Sequence, residues 1–305
     1  FLKNGAAIEK LHSFFLENSN LCTLELSHCV VDDENIRSLA SVLAQCKTSS
    51  FACSLTKFVF EGCELKDEVA GELIASLMGH RKLVELHFDG DGICEAPAVG
   101  KDGCIAIGNL LQSSSSRLND LYLENIYLGD DVGAVALGNG LAKNTLRKLH
   151  LKDNNLGDAG AIAALVKGLA KNYSLQQLYL EENDLGDAGA TALGNGLESI
   201  LQNPSSSLVE LHLGRSKMND EGVIGLAKGL AKNSTLKDLD LSSNKSVTGS
   251  GWRSFFALLQ QNPSSAIDKL LLHENNIDDD SAVEMASVVA NNMPMLKILN
   301  LHSNA

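Results

Sequence analysis

The chain has 305 residues, 38 acidic and 25 basic, giving a formal net charge of −13 and a pI near 5.0. Nucleic-acid binding depends mainly on Lys and Arg neutralising phosphates, and docking on anionic membranes draws on the same residues, so this balance argues against both. No apolar run is long enough to span a bilayer, and four prolines with no polar tract leave no linker at which to divide the chain, so composition predicts one elongated domain over residues 1–305.

The opening stretch, FLKNGAAIEK, has neither an initiator Met nor a signal-peptide pattern, and it reads as the helical half of a unit. The last residues, LKILNLHSNA, stop before a helix. The expectation is therefore a piece of a longer polypeptide whose uncapped ends fray or associate.

Between these ends one phrase recurs. Copies begin at Leu21, Leu55, Leu83, Leu118, Leu146, Leu175, Leu208, Leu236, Ile267 and Leu296, with successive starts 28 to 35 residues apart. A fixed period of this size signals one structural unit copied along the chain. Most of the longer intervals carry Ser-rich inserts such as QSSSS (112–116) and NPSSS (203–207), which belong to loops.

Each half of the unit predicts an element. The alternation in Leu149-His150-Leu151 sends leucines to one face and the middle residue to the other, as a short strand requires. In GDAGAIAALVKGLAKN, Asp158 is placed to cap a helix, and Ile162, Leu165, Val166 and Leu169 form a stripe at helical spacing. Asn172 has the side chain that tolerates the left-handed conformation ending a helix. Parallel strands joined through helices by right-handed crossovers lie side by side, and the wider helices on the opposite side curve the stack.

With LxxLxLxxNxL on the page, the chain resembles the leucine-rich repeat family, in particular its ribonuclease-inhibitor-like branch of 28- and 29-residue units. The resemblance runs from the partial unit at Phe1 to Leu301. It implies an α/β fold: a curved leucine-rich repeat solenoid, or horseshoe, of about ten repeats, with a parallel sheet on the concave face and helices on the convex face. It also implies an asparagine ladder to turn backbones, filled here by Asn154, Asn183, Asn244, Asn275 and Asn304, with Cys29 and Cys63 as the variation in early repeats. Asp91, Ile126 and Ser216 depart from the pattern, which puts the ladder's continuity in doubt at those positions.

Two insertions stand out. Between Asp91 and Gly103 the sequence is longer than in neighbouring units, so a loop is expected to project there, and near residue 250 an extra residue sets the only tryptophan, Trp252, at a helix start. Either is a recognition feature or an ordinary tolerated insertion, with Trp252 closing a local core.

Candidate chemical sites are weak. Asp89, Asp91 and Glu95 lack the full spacing of a calcium loop, and around Gly100-Lys101 Glu95 and Asp102 stand where a phosphate loop needs Gly and Ser or Thr. The glycines of LGNGL (137–141 and 193–197) are expected to let helix and sheet approach closely. All seven cysteines fall in the first third, odd in number and without a CxxC, which suits reduced thiols in the cytoplasm better than disulfides or zinc. Cys29 and Cys63 are expected to face the turn of the next repeat and to resist thiol reagents. Three glycosylation triplets, at Asn172, Asn233 and Asn244, point weakly to the opposite environment. No nucleophile, base and orienting group converge, so the reading is not an enzyme, with no cofactor and no metal.

What remains is the strand face, which varies without disturbing the core. Its outward positions on strands two to eight are Lys57, Val59, Glu61; Glu85, His87, Asp89; Asp120, Tyr122, Glu124; Lys148, His150, Lys152; Gln177, Tyr179, Glu181; Glu210, His212, Gly214; and Asp238, Asp240, Ser242. Nine of these are acidic and three basic. Two of only four tyrosines sit in the middle column, and Tyr is favoured in interface hot spots. If Lys148 and Lys152 neutralise Asp120 and Glu124, the face is an ordinary solvated one, but neither lysine reaches Glu61, Glu85 or Asp89. The expected partner site is Glu61, Glu85, His87, Asp89, Asp120, Tyr122, Glu124, His150, Tyr179, Glu181 and His212, taking a basic segment of a partner protein. The resemblance also implies two alternatives: a GTPase activator, since the repeat domain of Ran GTPase-activating proteins looks similar, and a purely structural scaffold.

Overall fold

The computed structural model describes residues 20–46, 54–63, 65–90, 99–126, 128, 131–142, 146–154, 156, 157 and 159–304. The expected half-unit at residues 1–19, the projecting part of the 91–103 insertion, the ladder position Asp91 and the helix cap Asp158 lie outside these residues. The chain divides into two compact units, Phe1–His150 and Leu151–Ala305.

In the first unit, strands β1 (Thr23–Ser27), β2 (Lys57–Glu61), β3 (Glu85–Asp89), β4 (Asp120–Tyr122) and β5 (Lys148–His150) alternate with helices α1 (Asp33–Cys46), α2 (Asp67–Ser76), α3 (Lys101–Gln112) and α4 (Asp131–Leu141). The strands are parallel and in sequence order, with the register Lys57, Glu85, Asp120 and Lys148 running across them. In the second unit, α5 (Ala159–Leu169), α6 (Gly186–Gln202), α7 (Asp220–Leu230), α8 (Gly249–Leu259) and α9 (Asp279–Asn292) alternate with β6 (Gln177–Tyr179), β7 (Glu210–His212), β8 (Asp238–Asp240), β9 (Lys269–Leu271) and β10 (Ile298–Asn300). Gln177 aligns with Glu210, Glu210 with Asp238, and Asp238 with Lys269.

The strand alternation does what the leucines predict. Leu121 and Leu149 in the first unit, and Leu178, Leu211, Leu239 and Leu270 in the second, are buried while their neighbours are half exposed. Each such leucine is worth roughly 1.5 to 3 kcal/mol when fully covered, and the cover comes from adjacent repeats. Phenylalanine takes the place in the early strands, where Phe58 and Phe60 lie 5.7 and 5.5 Å from Phe88. Ile162, Leu165, Val166 and Leu169 are buried on one side of α5, as their spacing requires.

The ladder is present and reaches back to the preceding repeat. Asn183 Nδ2 donates to Leu151 O (2.9 Å) and Leu180 O (3.0 Å), while its Oδ1 accepts from Asn154 N (3.0 Å). Asn244 and Asn275 repeat this arrangement. Ser216 does not break the row, because its hydroxyl donates to Leu180 O at 2.7 Å. Cys63 does the same with sulfur, accepting from Cys29 N at 3.1 Å and donating to Leu26 O at 3.5 Å, so it faces the preceding turn and not the following one. Cys63 is buried, whereas Cys29 is only half buried. Ile126, also buried, fills its position with an apolar side chain.

A second polar row at the helix C-termini has no counterpart in the leucine motif. His80 Nε2 lies 2.9 Å from Leu43 O, and Asn233, Asn262 and Asn292 donate to Leu201 O, Leu230 O and Gln260 O of the preceding helix at 3.0, 2.7 and 2.9 Å. Asn172 is not left-handed. It ends its helix through Oδ1, which accepts from Ser174 N and Leu175 N at 2.9 Å. The three glycosylation triplets thus place Asn172, Asn233 and Asn244 at 8%, 6% and 0% exposure.

The helical glycines set the distance between helices, not between helix and sheet. A Cβ on Gly108 would lie 2.4 Å from Ala136 O of α4, and one on Gly194 would lie 2.4 Å from Gly222 O of α7. Trp252 sits near the start of α8 and is fully buried against Phe255 and Phe256, so the local-core reading holds and the indole offers no surface. Among the described residues no helix is long and apolar enough to cross a membrane.

Candidate functional site

Within each unit, with leucines turned toward the helices, the outward side chains form three columns on the sheet face, about 4.8 Å apart from strand to strand.

In the first unit the middle column is a stack of flat rings. Tyr122 lies 3.9 Å from His87 with planes 7° apart, and 4.2 Å from His150 with planes 23° apart. The column starts at Val59, which is buried and so offers no outward surface. Carboxylates line both sides. Glu85 Oε1 is 2.7 Å from both Lys57 Nζ and His87 Nε2, and Asp89 Oδ2 is 3.4 Å from His87 Nδ1. His150 Nδ1 is 2.9 Å from Glu124 Oε1.

These contacts correct part of the charge expectation. Glu85 is neutralised after all, by Lys57 on the strand before it. Burial raises the Glu85 pKa, but the hydrogen bonds and charges of Lys57 and His87 outweigh it and hold the carboxyl below its ordinary value. Asp89 has a structural task as well, since its Oδ1 accepts from Glu124 N at 2.8 Å. Lys148 stands in register with Asp120 yet forms no ion pair with it. Lys152 pairs with Glu182 at 3.2 Å. Among the described residues the side chains of Glu61 and Asp120 have no ion pair, so these two expected site residues keep carboxylates open to a partner.

Burial pulls the His87 pKa down, but its hydrogen bonds to Asp89 and Glu85 prevail and raise it above the ordinary imidazole value. The Tyr122 hydroxyl is pushed up by burial and then by Asp120, Glu85, Glu124 and Asp89. It stays a neutral phenol, able to donate and accept at the tip of the stack.

In the second unit Tyr179 and His212 share the middle column with ring centres 4.7 Å apart, tilted by 46°. Tyr179 donates its hydroxyl to Glu210 Oε2 at 2.8 Å, and burial together with that carboxylate pushes the phenol pKa up. His212 Nδ1 is 3.3 Å from Glu181 Oε1, and its Nε2 is 3.8 Å from Asp238 Oδ1. Burial lowers the His212 pKa, and the bond to Glu181 with the charges of Glu181, Asp238 and Asp240 overcomes that and raises it. Lys269 closes the far side through Asp238 at 2.9 Å.

The strands carry Glu61, Glu85, His87, Asp89, Asp120, Tyr122 and His150 in the first unit and Tyr179 and His212 in the second, while Glu124 and Glu181 lie just past β4 and β6 and reach His150 and His212 from there. The sequence reading left Glu210, Asp238 and Asp240 out of the site. They occupy the same outward columns, and the strand alternation that selected their neighbours was the signal for them too. The calcium-like grouping cannot be assembled here, because Asp91 and Glu95 lie outside the described residues. Among the described residues, no cluster of three or more His, Cys, Asp or Glu is arranged to hold a metal ion.

Residues 142–163, 171–194, 205–227 and 232–255 match the family model described as Leucine Rich repeat. No curated protein matches the chain by sequence. Among solved structures, the chain is similar to one in the crystal structure of the Rad7 and Elc1 complex in yeast, with 16% identity, 94% of this chain and 77% of that chain covered, and a TM-score of 0.36.

Proposed function

We propose that these leucine-rich repeats form a protein-recognition module whose exposed sheet face binds a basic segment of a partner protein. The observation that carries this reading is the ring stack His87–Tyr122–His150, bordered by Glu61 and Asp120, whose charges are unpaired within the described chain. Rings already stacked lose little freedom on binding, and Tyr122 offers contact area with a polar tip. Unpaired carboxylates steer a basic partner toward the face and contribute to the rate of encounter. Glu181, His212 and Tyr179 extend the same chemistry on the second unit's face.

The regular strand–helix repeat supports the ribonuclease-inhibitor-like branch as the finer assignment. The odd number of cysteines without a CxxC and the burial of the asparagines of all three glycosylation triplets support a cytoplasmic setting. We assign the face recognition and no catalytic step.

The test is affinity capture from native cell extract with the wild-type chain and with Glu61→Gln/Asp120→Asn, a pair that leaves every described ion pair intact. The reading expects proteins retained by the wild type and depleted with the variant. Equal retention by both sinks it, and no specific retention leaves the scaffold role.

A further inference from the structure

We propose that His87 on the first unit's sheet face and His212 on the second unit's each act as a pH gate, weakening that face for a basic partner in acid and strengthening it as the imidazole loses its proton. The inference rests on the function proposed above.

The geometry argues for it in two separate places. His87 has an acceptor at each nitrogen: Glu85 at 2.7 Å from Nε2 and Asp89 at 3.4 Å from Nδ1. His212 has one acceptor, Glu181 at 3.3 Å from Nδ1, while Asp238 at 3.8 Å from Nε2 is close enough for charge attraction but not for a hydrogen bond. A neutral imidazole has one N–H and one lone pair, so between two carboxylates it turns a lone pair toward an anion. The imidazolium donates on both sides. Both rings are about five-sixths buried, with 17% and 16% of their side chains exposed, so the contacts are poorly screened by water.

The surrounding charges favour the same state. Around His87, β2 supplies Glu61 and Lys57, β3 supplies Glu85 and Asp89, and β4 supplies Asp120 and Glu124 beside Tyr122. Lys57 is the one opposing charge, and it is bound to Glu85. Around His212, β6 contributes Glu181 and Tyr179, β7 Glu210, and β8 Asp238 and Asp240. Lys269 on β9 is spent on Asp238. Both histidine pKa values are accordingly raised.

Protonation changes what a cationic partner meets. Each imidazolium adds a positive charge to the face of its own unit, held by Glu85 and Asp89 at His87 and by Glu181 at His212. Loss of the proton removes that charge and, at His87, releases one of the two acceptors. On the His212 side Glu181 Oε2 already lacks a hydrogen-bond partner. The face therefore becomes more negative by one charge per ring, over the pH range above the ordinary imidazole value where most other carboxylates are already ionised.

The experiment measures binding of a fluorescein-labelled decalysine peptide by anisotropy between about pH 5.5 and about pH 8, at constant ionic strength. The wild type is expected to bind roughly threefold to tenfold tighter at the upper end, from the loss of one like charge near a peptide on either unit's face. The double variant His87→Gln/His212→Gln is expected to lose the pH dependence, with whatever affinity remains after the two rings are removed staying flat across the range. A parallel NMR titration of the histidine ring protons in the free wild-type chain needs no substitution, and its midpoints for these two rings are expected to coincide with the midpoint of the binding curve. Binding that does not change with pH, a variant as pH-dependent as the wild type, or midpoints that do not coincide overturns the gating. Absence of peptide binding at every pH overturns the proposed function and the gating together.

Discussion

Tyr122 lies flat on His87, ring centre to ring centre at 3.9 Å and within 7° of parallel, and the two residues are register partners on neighbouring parallel strands. In-register strands fix this stack, because each ring has its place on the next strand set by the backbone ladder. A tyrosine held this way is a rigid contact before any partner arrives.

Replacing Tyr122 by Ala is expected to cost about 1 to 2 kcal/mol of fold stability, from the two ring contacts and partial burial. Its effect on a captured partner should fall mainly on dissociation, since the carboxylates that guide encounter remain. Denaturant midpoints and surface-plasmon kinetics measure the two separately. An unchanged off-rate with a lowered on-rate would contradict the contact role.

Asn244 is fully buried, with its amide donating to Leu213 O and Leu241 O and its Oδ1 accepting from Met218 N. Asn244→Ala leaves several buried backbone groups without partners and is expected to cost about 3 kcal/mol or more. Ser216→Ala removes a single strong bond, to Leu180 O, and should cost about 1 to 2 kcal/mol. Urea unfolding that ranks the two in the opposite order would show that the asparagine row is not what ties the turns together.

Gly194→Ala in α6 tests the helix spacing. Alanine normally gains about 1 kcal/mol over glycine inside a helix. Here the new methyl would stand 2.4 Å from Gly222 O and 2.8 Å from its Cα, so backbone must move. The expected result is a net loss of about 1 to 3 kcal/mol, read from the thermal or denaturant midpoint. A gain would mean that α7 retreats at no cost.

The raised pKa values of His87 and His212 also make a stability statement. A histidine whose folded value lies above its unfolded value binds its proton more tightly when folded, so the stabilisation is complete below the ordinary imidazole value and is lost as pH rises through the folded value. His87→Gln/His212→Gln should therefore be destabilised relative to wild type on the acid side of neutrality, with the gap narrowing toward mildly alkaline pH. Urea midpoints at several pH values measure this, and a gap that widens as pH rises would reverse the sign.

The strand faces were legible because alternation is a local rule: Leu149 and Leu151 inward leaves His150 outward whatever lies on the next strand. Charge compensation was less legible because it depends on the strand before as well as the strand after. Counting from Asp120 forward found Lys148, which makes no ion pair with it, and missed Lys57 behind Glu85, which does the neutralising. The row formed by His80, Asn233, Asn262 and Asn292 escaped notice because it lies outside the leucine motif and each side chain bonds to the backbone of the preceding repeat, a partner 32 to 37 residues away. The turns after the strands were hidden for a similar reason. Asn125, Asp153, Glu182, Arg215 and Ser243 all take a left-handed backbone, with φ from 52° to 58°, and most lack the glycine or asparagine that would announce it. The repeat geometry imposes that conformation over local preference.

Burial of Asn172, Asn233 and Asn244 sets an order of events that the sequence triplets alone do not. Attachment of an oligosaccharide replaces a hydrogen on the amide nitrogen, and in Asn244 that nitrogen is the donor to Leu213 O and Leu241 O. Sugar and native turn therefore exclude one another at that position. If the chain were routed through a secretory compartment, glycosylation could win only by acting on an unfolded nascent repeat, and the modified molecules would be the ones barred from closing it. A glycoform carrying sugar on Asn244 would be a marker of failed folding, and its abundance would report how quickly that repeat closes after synthesis.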